Sequence, residues 1–114
     1  MDLASHLEQG RAAFNGGQYF EAHELWEEAW HQLAGAERIF VQGLIQIAAG
    51  LHHLEQRRPG PAAGLLGKGL EKLSRGVPAP FAHLQVEALA RAGDRLLAEL
   101  AAGATAPDPR ALRL

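Results

Sequence analysis

A chain of 114 residues, 47% hydrophobic and 21% charged, reads as one globular domain with room for a modest core. A net charge of −2 gives no general attraction to nucleic acid or to an anionic membrane. The absence of cysteine excludes disulfides and thiolate metal sites, so any metal must be held by His, Asp, Glu or an amide oxygen.

The first residues, Met1-Asp2-Leu3-Ala4-Ser5-His6, lack the basic-then-apolar order of a signal peptide. No apolar run reaches the roughly 18–20 residues that span a bilayer. The expectation is a soluble, cytoplasmic protein.

Helical periodicity dominates and β-branched residues are few. The spacing predicts a first helix over Leu3 to Phe14, broken by Asn15-Gly16-Gly17, where glycine suits the left-handed C-terminal position. A second helix follows from Gln18 to Leu33. The short break Ala34-Gly35-Ala36 returns a third helix, Glu37 to Gln56, antiparallel to it. Arg57-Arg58-Pro59-Gly60-Pro61 ends the third helix and starts a fourth, with Pro61 near its first position. Gly76-Val77-Pro78 closes the fourth, and a fifth covers Phe81 to Ala101. The fold class expected is all-α, a single bundle of about five helices with antiparallel hairpins. Residues 1–102 form the domain and 103–114 a loop or frayed tail.

Within the second helix, Glu21-Ala22-His23-Glu24-Leu25-Trp26-Glu27-Glu28-Ala29-Trp30 concentrates carboxylates between aromatic residues. No Lys or Arg occurs from Ala12 to Glu37. Like-charge neighbours such as Glu24/Glu27 and Glu24/Glu28 each cost ~0.2–0.5 kcal/mol if exposed. On a wheel of ~100° per residue, Tyr19, Ala22, Trp26, Trp30 and Leu33 share the core stripe. His23 sits at its edge with Glu27 one step outward, while Glu21 and Glu28 point to water. His23 and Glu27 are one turn apart, close enough to touch or to hold one ligand.

Between Arg38 and Glu55 the third helix has no Lys, Arg, Asp or Glu, which suits a central position in the bundle. Gln42, Gln46 and His53 nevertheless lie on one strip within ~40°. A turn at Gly35 sets Glu27 opposite about Gly43 and His23 opposite about Ile47. Five polar groups, His23, Glu27, Gln42, Gln46 and His53, then line one seam, walled by Phe20, Trp26 and Trp30. Such groups need partners, because an unpaired one costs about 1–3 kcal/mol when buried. The plainer alternatives are a solvated Gln42/Gln46/His53 strip, next to Arg38, and a His23 satisfied locally by Glu27.

His23-Glu24-x-x-Glu27 is weakly similar to the zincin His-Glu-x-x-His helix. In that reading His23, Glu27 and His53 bind a divalent metal, and Glu24 or Glu27 acts as base. No phosphate loop or nucleophile elbow is present, and paired Glu-x-x-His motifs of di-iron bundles are missing. Gly17-x-Tyr19-x-x-Ala22 and Pro61-Ala62-Ala63-x-Leu65-Leu66 are similar to tetratricopeptide helix pairs, but at a spacing too long for a repeat array.

Phe14-Asn15-x-Gly17-x-Tyr19-Phe20-Glu21-Ala22-His23-Glu24-x-x-Glu27-x-x-Trp30, followed by Glu37-Arg38-x-Phe40-x-Gln42-Gly43-Leu44-Ile45-Gln46, resembles the bacterial and archaeal family called domain of unknown function 309. The resemblance covers about Leu7 to Leu73. It implies a small helical bundle and places the family's polar signature on Glu21, His23, Glu24, Glu27, Gln42, Gln46 and His53. Some members carry the label "predicted metal-dependent hydrolase". Two functions follow as expectations. One is a metal-dependent hydrolase of an unknown small molecule. The other is a non-catalytic module that binds a protein partner or a second copy of itself, its polar seam being a structural network.

Overall fold

The computed structural model describes residues 1–114 as an all-α bundle. Its helices are α1 (Leu3–Asn15), α2 (Tyr19–Trp30), α3 (Gly35–Glu55), α4 (Pro59–Ser74) and α5 (Val86–Ala101), with a 3-10 turn at Ala79–Phe81. Each helix packs on the next in sequence, and α3 is central between α2 and α4. No helix is long and apolar enough to cross a membrane.

Local chemistry sets the helix ends. The Asp2 side chain accepts the Ser5 backbone N–H at 2.8 Å and caps α1. At the other end, Gly17 adopts φ +79°. Its N–H donates to Phe14 and the Gln18 N–H to Ala13, the two bonds of a Schellman cap. The same pair of bonds closes α3, from Arg57 to Leu54 and from Arg58 to His53. There the left-handed residue is Arg57, at φ 59°.

α3 and α4 meet backbone to backbone. A Cβ on Gly69 would lie 2.6 Å from the Gly43 carbonyl oxygen, and one on Gly43 3.0 Å from the Gly69 oxygen. A second close contact sits two turns along, where a Cβ on Gly50 would lie 3.0 Å from the Ala62 oxygen. The apolar face of α3 is thus divided: small residues admit α4, while Phe40, Leu44 and Leu51 enter the common core.

Three expectations change. α4 begins at Pro59 rather than Pro61, because proline at the first helical position lacks only an N–H that would be unpaired anyway. α5 begins at Val86 rather than Phe81. Phe81 is drawn into the core against Phe40, with ring centroids 4.8 Å apart, and the chain turns through Ala82–Gln85 before helix resumes. The segment from Gly103 is a loop, but it is not frayed. Leu112 and Leu114 are buried in the core. The Leu114 carbonyl accepts from Arg11 Nε at 2.8 Å and Asn15 Nδ2 at 2.9 Å, and its N–H donates to Asn15 Oδ1.

Candidate binding seam between α2 and α3

The short turn after α2 brings the two helices back side by side. Trp30 and Arg38, five residues before and three after Gly35, stack with the guanidinium carbon 3.7 Å from the ring centroid. Phe20 and His52, fifteen before and seventeen after, have ring centroids 5.2 Å apart. These two contacts bracket the hairpin register expected from a turn at Gly35.

The facing partners differ from expectation. Gly43 and Ile47, expected opposite Glu27 and His23, lie against Gly69 of α4. The reason is the close α3–α4 crossing, which takes that face of α3 for itself. Gln46 also turns towards α4, where its Oε1 accepts from Lys72 Nζ at 2.9 Å. Gln42 and His53 are half-buried.

On α2, His23 Nε2 lies 3.5 Å from Glu27 Oε2, the one expected pairing that forms. Phe20 is exposed and stacks over His23 with centroids 6.1 Å apart, so it stands at the rim of the seam. Glu24 is exposed and makes no hydrogen bond or ion pair, as expected of a solvated carboxylate rather than a positioned base. Trp26 does not wall this seam. It is 1% exposed, its ring packs at 5.4 Å from that of Phe14, and its Nε1 donates to the Leu7 carbonyl at 3.2 Å. Trp26 is committed to α1, while Trp30, half-buried, belongs to the seam.

Two seam residues escaped the sequence reading. His52 packs beside Phe20, and its Nε2 lies 3.2 Å from Gln56 Nε2. Arg38, taken as a sign of solvent exposure, is half-buried with no carboxylate within ion-pair distance. The signal for both was the turn itself, which sets them opposite Phe20 and Trp30.

Four buried side-chain nitrogens have no hydrogen-bond partner in the protein: His23 Nδ1, Trp30 Nε1, Arg38 Nε and His53 Nδ1. All four lie on α2 or α3, and no other buried side-chain nitrogen or oxygen in the chain is left so. Trp Nε1–H and Arg Nε–H are donors only, and each imidazole nitrogen donates or accepts according to tautomer. His23 reaches Glu27 through Nε2, but these four nitrogens are not paired by other side chains of the seam.

The donor set does not suit a metal. No group of three or more His, Asp or Glu side chains is gathered so as to hold an ion, so His23, Glu27 and His53 are not assembled as a ligand triad. Gln46 is engaged with Lys72. His23 and Glu27 supply at most two of the three protein ligands that catalytic zinc ordinarily needs.

Taken together, fold and seam define a small helical bundle with an under-satisfied polar hairpin. The chain belongs to the family described as domain of unknown function 309, whose model matches residues 7–65. That span contains α2 and α3 entire, the first part of α4, and none of α5. No curated protein and no solved structure matches the chain.

Proposed function

We propose that this protein is a binding module. In this reading its α2–α3 seam takes a small, uncharged, carbonyl-bearing molecule or the backbone of a partner segment. The observation that supports it is the set of four buried nitrogens left without partners along one helical hairpin. Each such group costs about 1–3 kcal/mol, so a fold that keeps four of them on one seam favours a ligand that supplies acceptors. Carbonyl or hydroxyl oxygens are the matching chemistry, because the indole and guanidinium nitrogens only donate.

Charge narrows the class. Arg38 is the one cation in the seam, while Glu21, Glu24, Glu27 and Glu28 are exposed along the adjoining helix. This acidic rim opposes anions and is compatible with neutral or zwitterionic ligands. Phe20, exposed over His23 and His52, supplies an apolar edge at one end.

A metal-dependent hydrolase is the weaker reading, since it lacks a third protein ligand near His23 and Glu27. Elemental analysis and thermal melts separate the two. The binding-module reading expects metal-free protein, with a melting temperature unmoved by Zn²⁺ or Mn²⁺. Stoichiometric metal that is lost in His23→Ala would overturn it.

A further inference from the structure

A second site lies on the other side of α2, at a cavity of about 420 Å³ beside Trp26. Its apolar walls include Leu3, Leu7, Trp26, Leu44, Phe81 and Leu84. The indole N–H of Trp26 is already engaged by the Leu7 carbonyl, so the tryptophan adds apolar surface and no free donor. The size and the apolar lining are those of small-molecule sites, which run to roughly 300–1,000 Å³ with a few placed polar groups.

The polar groups are confined to Glu8, Arg11 and His83. Arg11 Nε donates to the main-chain oxygen of Leu114 at 2.8 Å. Its Nη1 lies 3.6 Å from Glu8, a carboxylate that is largely exposed. Nη2 makes no hydrogen bond, which leaves one end of the guanidinium fork for a ligand. A mostly apolar space with one anchored guanidinium matches a hydrocarbon chain ending in an oxyanion. At roughly 30 Å³ per heavy atom, the share of liquid volume that one water takes, a ten-carbon chain occupies about 300 Å³.

We infer that this cavity binds a medium-chain carboxylate, with its hydrocarbon against Trp26 and its carboxylate on Arg11. The site is independent of the α2–α3 seam. Much of its lining comes from the 80–84 segment and Leu114, outside the residues that match the family, so the ligand is a property of this chain rather than of the family signature.

The test is a titration of the full chain with decanoate below its micellar range. Trp26 emission is read in a Trp30→Phe background, which leaves it the sole tryptophan, and thermal melts of the unsubstituted protein are run alongside. Acetate and decyltrimethylammonium serve as head-only and cationic controls. The expected result is a saturable emission change and a raised melting temperature with decanoate alone. Ala4→Phe, at an exposed α1 position on the cavity lining, should weaken binding at least tenfold while leaving the unliganded melt unchanged. No saturable response to decanoate in either readout overturns the proposal. Equal binding of the cationic chain overturns the role of Arg11, and equal binding to Ala4→Phe overturns the location.

Discussion

Arg38 lies over Trp30, its guanidinium carbon 3.7 Å from the ring centroid, yet neither its buried Nε nor the indole N–H of Trp30 has a hydrogen-bond partner. Cation–π attraction of this kind contributes ~0.5–2 kcal/mol according to exposure. It offsets part of the cost of the two unpaired donors, and the remainder is free energy that an incoming acceptor would recover.

The two tryptophans should therefore respond differently to substitution. Trp30→Phe loses no hydrogen bond and keeps a ring under Arg38, so it should cost under ~1.5 kcal/mol. Trp26→Phe loses the bond to Leu7 and opens space in a fully buried site, and should cost ~2–4 kcal/mol. Urea denaturation of both variants measures the difference. Equal losses would mean that Trp30 contributes as a core residue like Trp26.

Gly10 stands where Trp26 meets α1. A Cβ there would fall 2.4 Å from the indole ring. Alanine in mid-helix ordinarily gains ~1 kcal/mol over glycine. Gly10→Ala should reverse that sign, destabilising by ~1–3 kcal/mol because a buried indole cannot retreat cheaply. A stabilised variant in thermal or chemical melts would show that the ring has room to move.

Arg57 ends α3 in the left-handed region, a conformation that costs an L-residue roughly 1–2 kcal/mol. Glycine at the same point of the Schellman cap avoids that cost but adds entropy to the unfolded chain. Arg57→Gly should be net stabilising by ~0.5–1 kcal/mol, and Arg57→Val strongly destabilising. Chemical melts of both variants give the comparison.

Burial, and less strongly the negative charges of Glu55 and Asp108, raise the Tyr19 phenol above its ordinary value of 10.0. The unfolded chain then loses this proton first as pH rises. The stabilisation is fully present below pH 10, falls through the window above it, and is gone beyond the folded-state value. Tyr19→Phe should flatten the loss of stability above pH 10 and leave the neutral range unchanged. Melts against pH for the two proteins test this, and parallel curves would count against it.

The helices were legible because their signals are local. Gly17 marks a left-handed cap, Pro59 and Pro61 mark a start, and the charge-free run after Arg38 marks the central helix. The side-by-side placement of α2 and α3 followed from the short turn at Gly35. What escaped depends on contacts distant in sequence. Nothing near Leu112 or Leu114 announces that Asn15 and Arg11 will hold Leu114 to α1. The turn before Val86 depends on Phe81 finding Phe40, and the facing of Gly43 and Gln46 depends on how closely α4 approaches. A helical wheel placed Trp26 and Trp30 on one stripe, but it could not tell that one would be taken by α1 and the other by Arg38.

The most direct measurement is a ¹⁵N-resolved NMR titration that follows the Trp30 indole and Arg38 Nε–H resonances. Malonamide, a neutral diamide, is the probe, and succinate is its anionic counterpart. The binding-module account predicts saturable shifts of both resonances with malonamide, weaker ones with succinate, and none at the Trp26 indole. Resonances of Trp30 and Arg38 that stay fixed with both probes would contradict it.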